Sequence, residues 1–201
     1  MTVVPLVLAA GASTRMGRPK AALPVGGVPA LRRVLQAAAA AGLGPAVVVS
    51  GADPTAVRDA AAGADPPPRL VEHPGWAQGR TSSLQAGLLA LPPGTAAFLL
   101  WPVDVCLVGP EVVRALLEAR REQPAARAWV PSHAGRRGHP ALFASQVTPA
   151  FLALGPDAPA REVLRALAGQ GAVVHVPAGE EVLRDLDTPA DLAAAEAWLA
   201  R

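Results

Sequence analysis

Apolar, strand-like runs alternate along this 201-residue chain with stretches of helical spacing, and its chemically informative residues gather where those runs end. This predicts an α/β fold of three layers, a mostly parallel, Rossmann-like sheet with helices on both faces. Two observations carry the prediction. The aliphatic, β-branched runs 2–8, 46–50 and 96–103 are each followed by a helical pattern. The glycine-bearing loop after the first run, Asp104 after the third, and Asp185 and Asp187 late in the chain then fall beyond the carboxyl ends of strands, where such sheets bind ligands.

The elements follow in order. Residues 2–8 form a buried strand that ends at Gly11. Pro29 opens a helix that runs to Ala41, with Gly42 as its stop. Residues 46–50 are a strand, and Asp53 caps a helix over 54–62. Residues 69–72 make a short strand. Leu84, Leu88 and Leu91 set the spacing of a helix over 82–91, with Ser82 and Ser83 as its caps. The strongly apolar strand 96–103 ends in Asp104, and Pro110 opens a helix over 111–121. Strands 128–131 and 141–143 flank a Gly/Arg/His loop at 135–139. Two helices, near 147–154 and 159–168, precede a strand at 172–176. The segment 182–186 reads as extended, so Asp185 and Asp187 would project to one face. A helix over 189–199 follows, capped by Thr188 or Asp187, with Asp191 compensating its dipole. No linker or internal repeat divides the chain, so a single domain over 1–201 is expected.

Composition narrows the function classes. No apolar stretch approaches the roughly 18 residues of a membrane span. The run from Met1 to Ala10 has no basic lead-in and reads as a strand, not a signal peptide. The one cysteine, Cys106, excludes an intramolecular disulfide and fits a reducing cytoplasm. With no tyrosine, three phenylalanines and no basic block beyond Arg136-Arg137, a nucleic-acid module is disfavoured. His73, His133, His175 and the four tryptophans carry no chemistry legible in the sequence.

Of the 18 Lys+Arg residues, only Lys20 is a lysine. Where arginine serves almost everywhere, one retained lysine suggests a need for a compact ammonium, a solvated surface lysine being the alternative. It closes the loop Leu8-Ala9-Ala10-Gly11-Ala12-Ser13-Thr14-Arg15-Met16-Gly17-Arg18-Pro19-Lys20, which follows a strand as phosphate-binding loops do. The loop fits neither GxxxxGK[ST] nor GxGxxG, and the second absence argues against a dinucleotide-dependent oxidoreductase. Its hydroxyls, arginines and backbone N–H groups could wrap a triphosphate, with Arg15 and Lys20 neutralising charge. Asp104 suits a Mg²⁺ ligand, since Mg²⁺ takes one or two carboxylates beside phosphate oxygens and water. Arg136 and Arg137 could clamp a phosphate, and either could equally be solvated.

LAAGxSxRMGxPK resembles the signature of the MobA/MocA-like nucleotidyltransferases, and further matches follow in order. Gly79-Arg80-Thr81-Ser82-Ser83-Leu84 with Gly87-Leu88 is similar to GxxSSLxxGL. Pro102-Val103-Asp104 is similar to the metal-binding acid after a central strand, although Cys106 stands where that family has proline. Gly138-His139-Pro140-Ala141-Leu142-Phe143 is similar to the GHPxLF of the MocA-like branch, and residues 185–192 to DxDTPxDL.

The resemblance implies a nucleotide-diphospho-sugar transferase, GT-A-like fold and a Mg²⁺-dependent transfer of a nucleotide to the phosphate of molybdopterin. It makes Lys20, Arg15 and Asp104 catalytic and Asp104 with Asp187, or Asp185, the metal ligands. Leu8, Ala9, Ala10, Gly11, Ser13, Thr14, Arg15, Gly17, Lys20, Ser82 and Ser83 would bind the nucleotide. Arg137, Gly138, His139 and Pro140 would bind the acceptor, with a structural hydrogen bond as the alternative for His139. The Ala9-Ala10-Gly11 form of the loop resembles the cytidylyl enzymes and so implies CTP, and a molybdoenzyme or its maturation chaperone would be a partner. A sugar- or polyol-phosphate nucleotidyltransferase and a non-catalytic accessory protein for molybdoenzyme maturation are the alternatives.

Overall fold

A computed structural model of the chain describes residues 2–200, so Met1 and Arg201, the outer bounds of the expected domain, lie outside the described residues. Ten strands form among the described residues: β1 (Thr2–Ala9), β2 (Pro24–Val25), β3 (Val28–Pro29), β4 (Val47–Ser50), β5 (Arg69–Glu72), β6 (Thr95–Pro102), β7 (Ala128–His133), β8 (Arg136–Arg137), β9 (Ala141–Ala144) and β10 (Val173–Pro177). Seven α-helices accompany them: α1 (Ala30–Ala40), α2 (Pro54–Ala61), α3 (Arg80–Leu89), α4 (Pro110–Glu122), α5 (Thr148–Leu152), α6 (Arg161–Gly169) and α7 (Pro189–Leu199).

The main sheet runs β5-β4-β1-β6-β9-β7-β10, with β8 paired to β7. β1 pairs in parallel with both β4 and β6, β4 with β5, and β7 with β10. β9 runs antiparallel between β6 and β7, so the sheet is mixed and mostly parallel. Alternation along the central strands divides the core in two. Val7, Val48, Leu99 and Trp101 face one layer with α1, α2 and α4, whereas Leu6, Val49, Phe98 and Leu100 face the other with α3, α5 and α6. The three-layer expectation therefore holds. After β1 the chain builds outward through β4 and β5, then returns to place β6 on β1's other side. That reversal leaves a crevice beyond the carboxyl ends of β1 and β6, from which the 9–20 loop and Asp104 emerge.

The starts of α2 and α7 behave as their sequences suggest, whereas that of α3 does not. Asp53 accepts a hydrogen bond from the Ala56 amide at 2.9 Å, capping α2. Thr188 caps α7 in a reciprocal capping box with Asp191, which frees Asp187 from that duty. The expected extended segment at 182–186 is not a strand. Residues Glu180–Leu183 form a 3₁₀ turn, and the chain beyond it is irregular because its backbone is tied to loops and not to a neighbouring strand. Val182 O accepts from the His139 amide at 2.9 Å, and the Leu186 amide donates to Asp104 O at 3.0 Å. Ser82 and Ser83 lie inside α3, whose N-cap is Gly79. No helix among the described residues is long and apolar enough to cross a membrane.

Candidate active site

A cleft of about 700 Å³ opens at the carboxyl ends of β1 and β6. Its floor is an ionic cluster. Lys20 Nζ donates to Asp104 Oδ2 at 2.7 Å and to Asp187 Oδ1 at 2.5 Å, and Arg15 Nη2 donates to Asp187 Oδ2 at 2.9 Å. The lysine side chain is 15% exposed and the arginine 62%, so the first is an enclosed bridge and the second an outer partner open to solvent. Partial burial opposes the ammonium, but hydrogen bonds and charge from Asp104 and Asp187 outweigh it and raise the lysine pKa above its ordinary value. The same hydrogen bond from Lys20, aided by the charges of Lys20 and Arg15, holds the Asp187 carboxyl below the usual range.

Each group is held by local structure. In the 9–20 loop, Ser13 and Gly17 both adopt left-handed backbone (φ 53° and 68°), which folds the loop back across the end of β1. Met16 is buried as its anchor, and the Ser13 hydroxyl accepts from the Lys20 amide at 3.0 Å, closing the loop. Asp104 sits on a turn in which the Val105 amide donates to Pro102 O at 3.1 Å, while the Trp101 indole donates to Val105 O at 2.8 Å. The next residue, Cys106, is buried, and desolvation pushes its thiol up to about 11, so it stays protonated and inert. Asp187 reaches the cluster because Leu186, itself buried, hangs its backbone from Asp104.

Arg136, Arg137, Gly138 and His139 form a further stretch of the cleft wall, which Val182 and Leu183 also line. Gly138 has to be glycine: a Cβ there would overlap the Val182 carbonyl oxygen, the backbone that fixes His139. Burial pushes the His139 pKa down, against the charges of Asp104 and Asp185, and its Nδ1 has no hydrogen-bond partner among the described residues. A stability consequence follows. Unfolded chains take up this proton near pH 6.5 and the folded one only at lower pH. Between those values the unfolded state binds more protons, so acidification favours it. The melting temperature should fall as pH drops from 7 to 5, and less so for His139→Gln. Equal slopes in thermal melts of the two proteins would contradict the assignment.

Of the residues singled out in the sequence, Leu8, Ala9, Ala10, Gly11, Ser13, Thr14, Arg15, Lys20, Ser83, Asp104, Arg137, Gly138, His139, Asp185 and Asp187 line this one cleft. Three do not. Gly17 is spent on the loop's left-handed turn, and Pro140 is buried behind the wall. Ser82 turns away: its hydroxyl donates to Gly79 O at 2.7 Å and lies 3.0 Å from His73 Nε2. Asp185 stands apart from the ionic cluster, with no ion pair or hydrogen bond among the described residues, and its charge acts on His139. Trp76, Asp53 and Arg80 also line the cleft, although in the sequence Asp53 reads only as a cap, Arg80 only as part of a motif, and Trp76 carries no legible chemistry. Arg80 left a signal, since an arginine in a helix's first turn opposes the dipole and suggests an anion nearby.

Comparison with known proteins identifies the family. Residues 5–172 match the family described as the MobA-like NTP transferase domain. The chain is 35% identical to a phosphoenolpyruvate guanylyltransferase of Rubrobacter xylanophilus, over 97% of this chain and 92% of that one. It is 30% identical to a 2-C-methyl-D-erythritol 4-phosphate cytidylyltransferase of Nocardia farcinica, over 100% and 95%. The crystal structure of Rv0371c from Mycobacterium tuberculosis superposes with a TM-score of 0.83 at 26% identity, covering 98% of this chain and 99% of that one, and a complex of the same protein with manganese gives 0.78 at 25%. The sheet and its layers are those of the GT-A-like nucleotide-diphospho-sugar transferases. The chain is a nucleotidyltransferase and belongs to the MobA-like NTP transferase family.

Proposed function

We propose that this cleft transfers CMP from CTP to the phosphate of molybdopterin, with release of pyrophosphate. One observation carries the nucleotidyl-transfer chemistry: Lys20, Asp104 and Asp187 share one cluster in a cleft that Arg136, Arg137 and His139 also line. A triphosphate needs the first and a phosphorylated acceptor the second.

The donor set suits a divalent cation. Two carboxylates close enough to share one ammonium are close enough to share one metal ion, and Mg²⁺ is expected. Among the described residues no group of three or more His, Cys, Asp or Glu could hold a metal. The remaining ligands would be phosphate oxygens and water, which is how Mg²⁺ is usually held. The manganese complex of Rv0371c supports a divalent ion on this fold. Held by Asp104 and Asp187, the ion would supply positive charge to the phosphates.

The chain's own residues do the rest by position and charge. An oxygen of the acceptor phosphate attacks the α-phosphorus, the bond from that phosphorus to the bridging oxygen breaks, and pyrophosphate departs. No general base is required, because the attacking phosphate is already an anion. Lys20 stabilises charge on the transferring phosphate, while Arg15 and the loop amides hold the β- and γ-phosphates. Arg137 and His139 hold the acceptor.

CTP is supported by the Ala9-Ala10-Gly11 loop and by the cytidylyltransferase relative, and molybdopterin by the segment 138–143. The same relative favours a second reading, a polyol-phosphate acceptor. Pyrophosphate release, measured for each NTP against molybdopterin, methylerythritol phosphate and phosphoenolpyruvate, separates them. CTP with molybdopterin is the expected pair, and release confined to another acceptor would overturn it. Arg137→Ala should raise the acceptor KM by ~10-fold or more and leave the CTP KM unchanged. Equal shifts in both constants would remove Arg137 from the acceptor site.

A further inference from the structure

The two acids are joined by a cation that belongs to the chain. Lys20 Nζ lies 2.7 Å from Asp104 and 2.5 Å from Asp187, and an ammonium has donors enough to serve both. With Arg15 on the far oxygen of Asp187, the cluster carries two negative and two positive charges. A divalent ion arriving alone would therefore meet a neutral cluster in which a like charge is held between the carboxylates. A triphosphate changes that balance, because it brings enough negative charge to take both Lys20 and Arg15 as partners. The geometry permits the exchange. The Lys20 backbone is fixed by its amide's bond to Ser13 Oγ at 3.0 Å, while the flexible four-carbon stem lets the head swing.

We propose that Lys20 is the resident counter-cation of the divalent-ion seat. It keeps Asp104 and Asp187 assembled, excludes a free divalent ion, and yields the seat only when the triphosphate draws its ammonium away. Ion and nucleotide then enter as one complex. This also accounts for lysine at the one position where arginine would have been the chain's habit: a planar fork cannot present a single point of charge to two carboxylates and then retract along a flexible stem.

The proposal rests on the reading of Asp104 and Asp187 as the ion's ligands, and the test separates the two. Mn²⁺ binding without nucleotide is followed by electron paramagnetic resonance for the folded wild type, Lys20→Met, and Lys20→Met with Asp104→Asn. Methionine keeps the length of the stem and removes the charge. Lys20→Met should bind Mn²⁺ at least ~10-fold more tightly than wild type, and Asp104→Asn should abolish the gain. A gain that survives Asp104→Asn puts the ion elsewhere and defeats the ligand reading. Absence of any gain overturns the proposal. In that case pyrophosphate release by Asp104→Asn alone tells whether the ligand reading fails with it, as it does if turnover is kept. If Lys20→Met does not fold, the wild type still answers. Lys20 is the only lysine in the sequence, so ¹³Cε-lysine labelling gives one side-chain signal. That signal should stay unmoved by Mg²⁺ alone and shift when CTP is added with Mg²⁺. A shift with Mg²⁺ alone overturns the exchange.

Discussion

Asp104→Asn is expected to lower turnover by more than ~100-fold at saturating Mg²⁺ and CTP, a loss of about 2.7 kcal/mol or more of transition-state stabilisation. The substitution keeps the shape of the side chain and takes one charge from the cluster. The fold around it should survive, because what holds this turn is backbone: the Trp101 indole on Val105 O, and the Leu186 amide on Asp104 O. The side chain itself is 22% exposed, so no fully buried charge is orphaned. Pyrophosphate release beside a thermal melt checks both halves. A near-normal rate in a folded protein would remove Asp104 from the chemistry.

Lys20→Arg is expected to cost as much, more than ~100-fold, although it keeps the charge. Two carboxylates 2.5 and 2.7 Å from one nitrogen leave a space shaped for a compact head. A guanidinium would have to present two different nitrogens to the two acids, which draws its charge off the transferring phosphate. Steady-state kinetics of Lys20→Arg and Lys20→Ala side by side make the comparison. If arginine supports a rate close to that of wild type, the lysine is an accident of composition and its compactness has no role.

Much of this was legible in the sequence because it depends on local patterns. The runs at β1, β4 and β6 are short, aliphatic and bounded, so their strand character and the positions of their ends could be read directly. The 9–20 loop and Asp104 were legible for the same reason, as each lies next to a strand end. What escaped depends on tertiary contacts. The segment 182–186 is short and bounded, so it reads as extended, yet its backbone partners are the loops at 104 and 139, far away in sequence. This is also why Asp185 and Asp187 part company: on a strand they would share a face, whereas here Asp187 joins Lys20 and Asp185 stands on the side of His139. Ser82 and Ser83 are indistinguishable as neighbours in a motif, and only their phase on α3 separates them: Ser83 lines the cleft while Ser82 bonds Gly79 O and meets His73. Trp76 and Asp53 come from the β4 and β5 side of the sheet and carry no motif that would announce them.

The most direct measurement follows the α-phosphate of CTP. With CTP labelled at that phosphate, Mg²⁺ and molybdopterin, label should pass into a cytidylyl-pterin product in step with pyrophosphate release, and both should vanish in Asp104→Asn. Label left in CTP under those conditions, with transfer appearing only to a polyol phosphate or not at all, would contradict the assignment of this cleft.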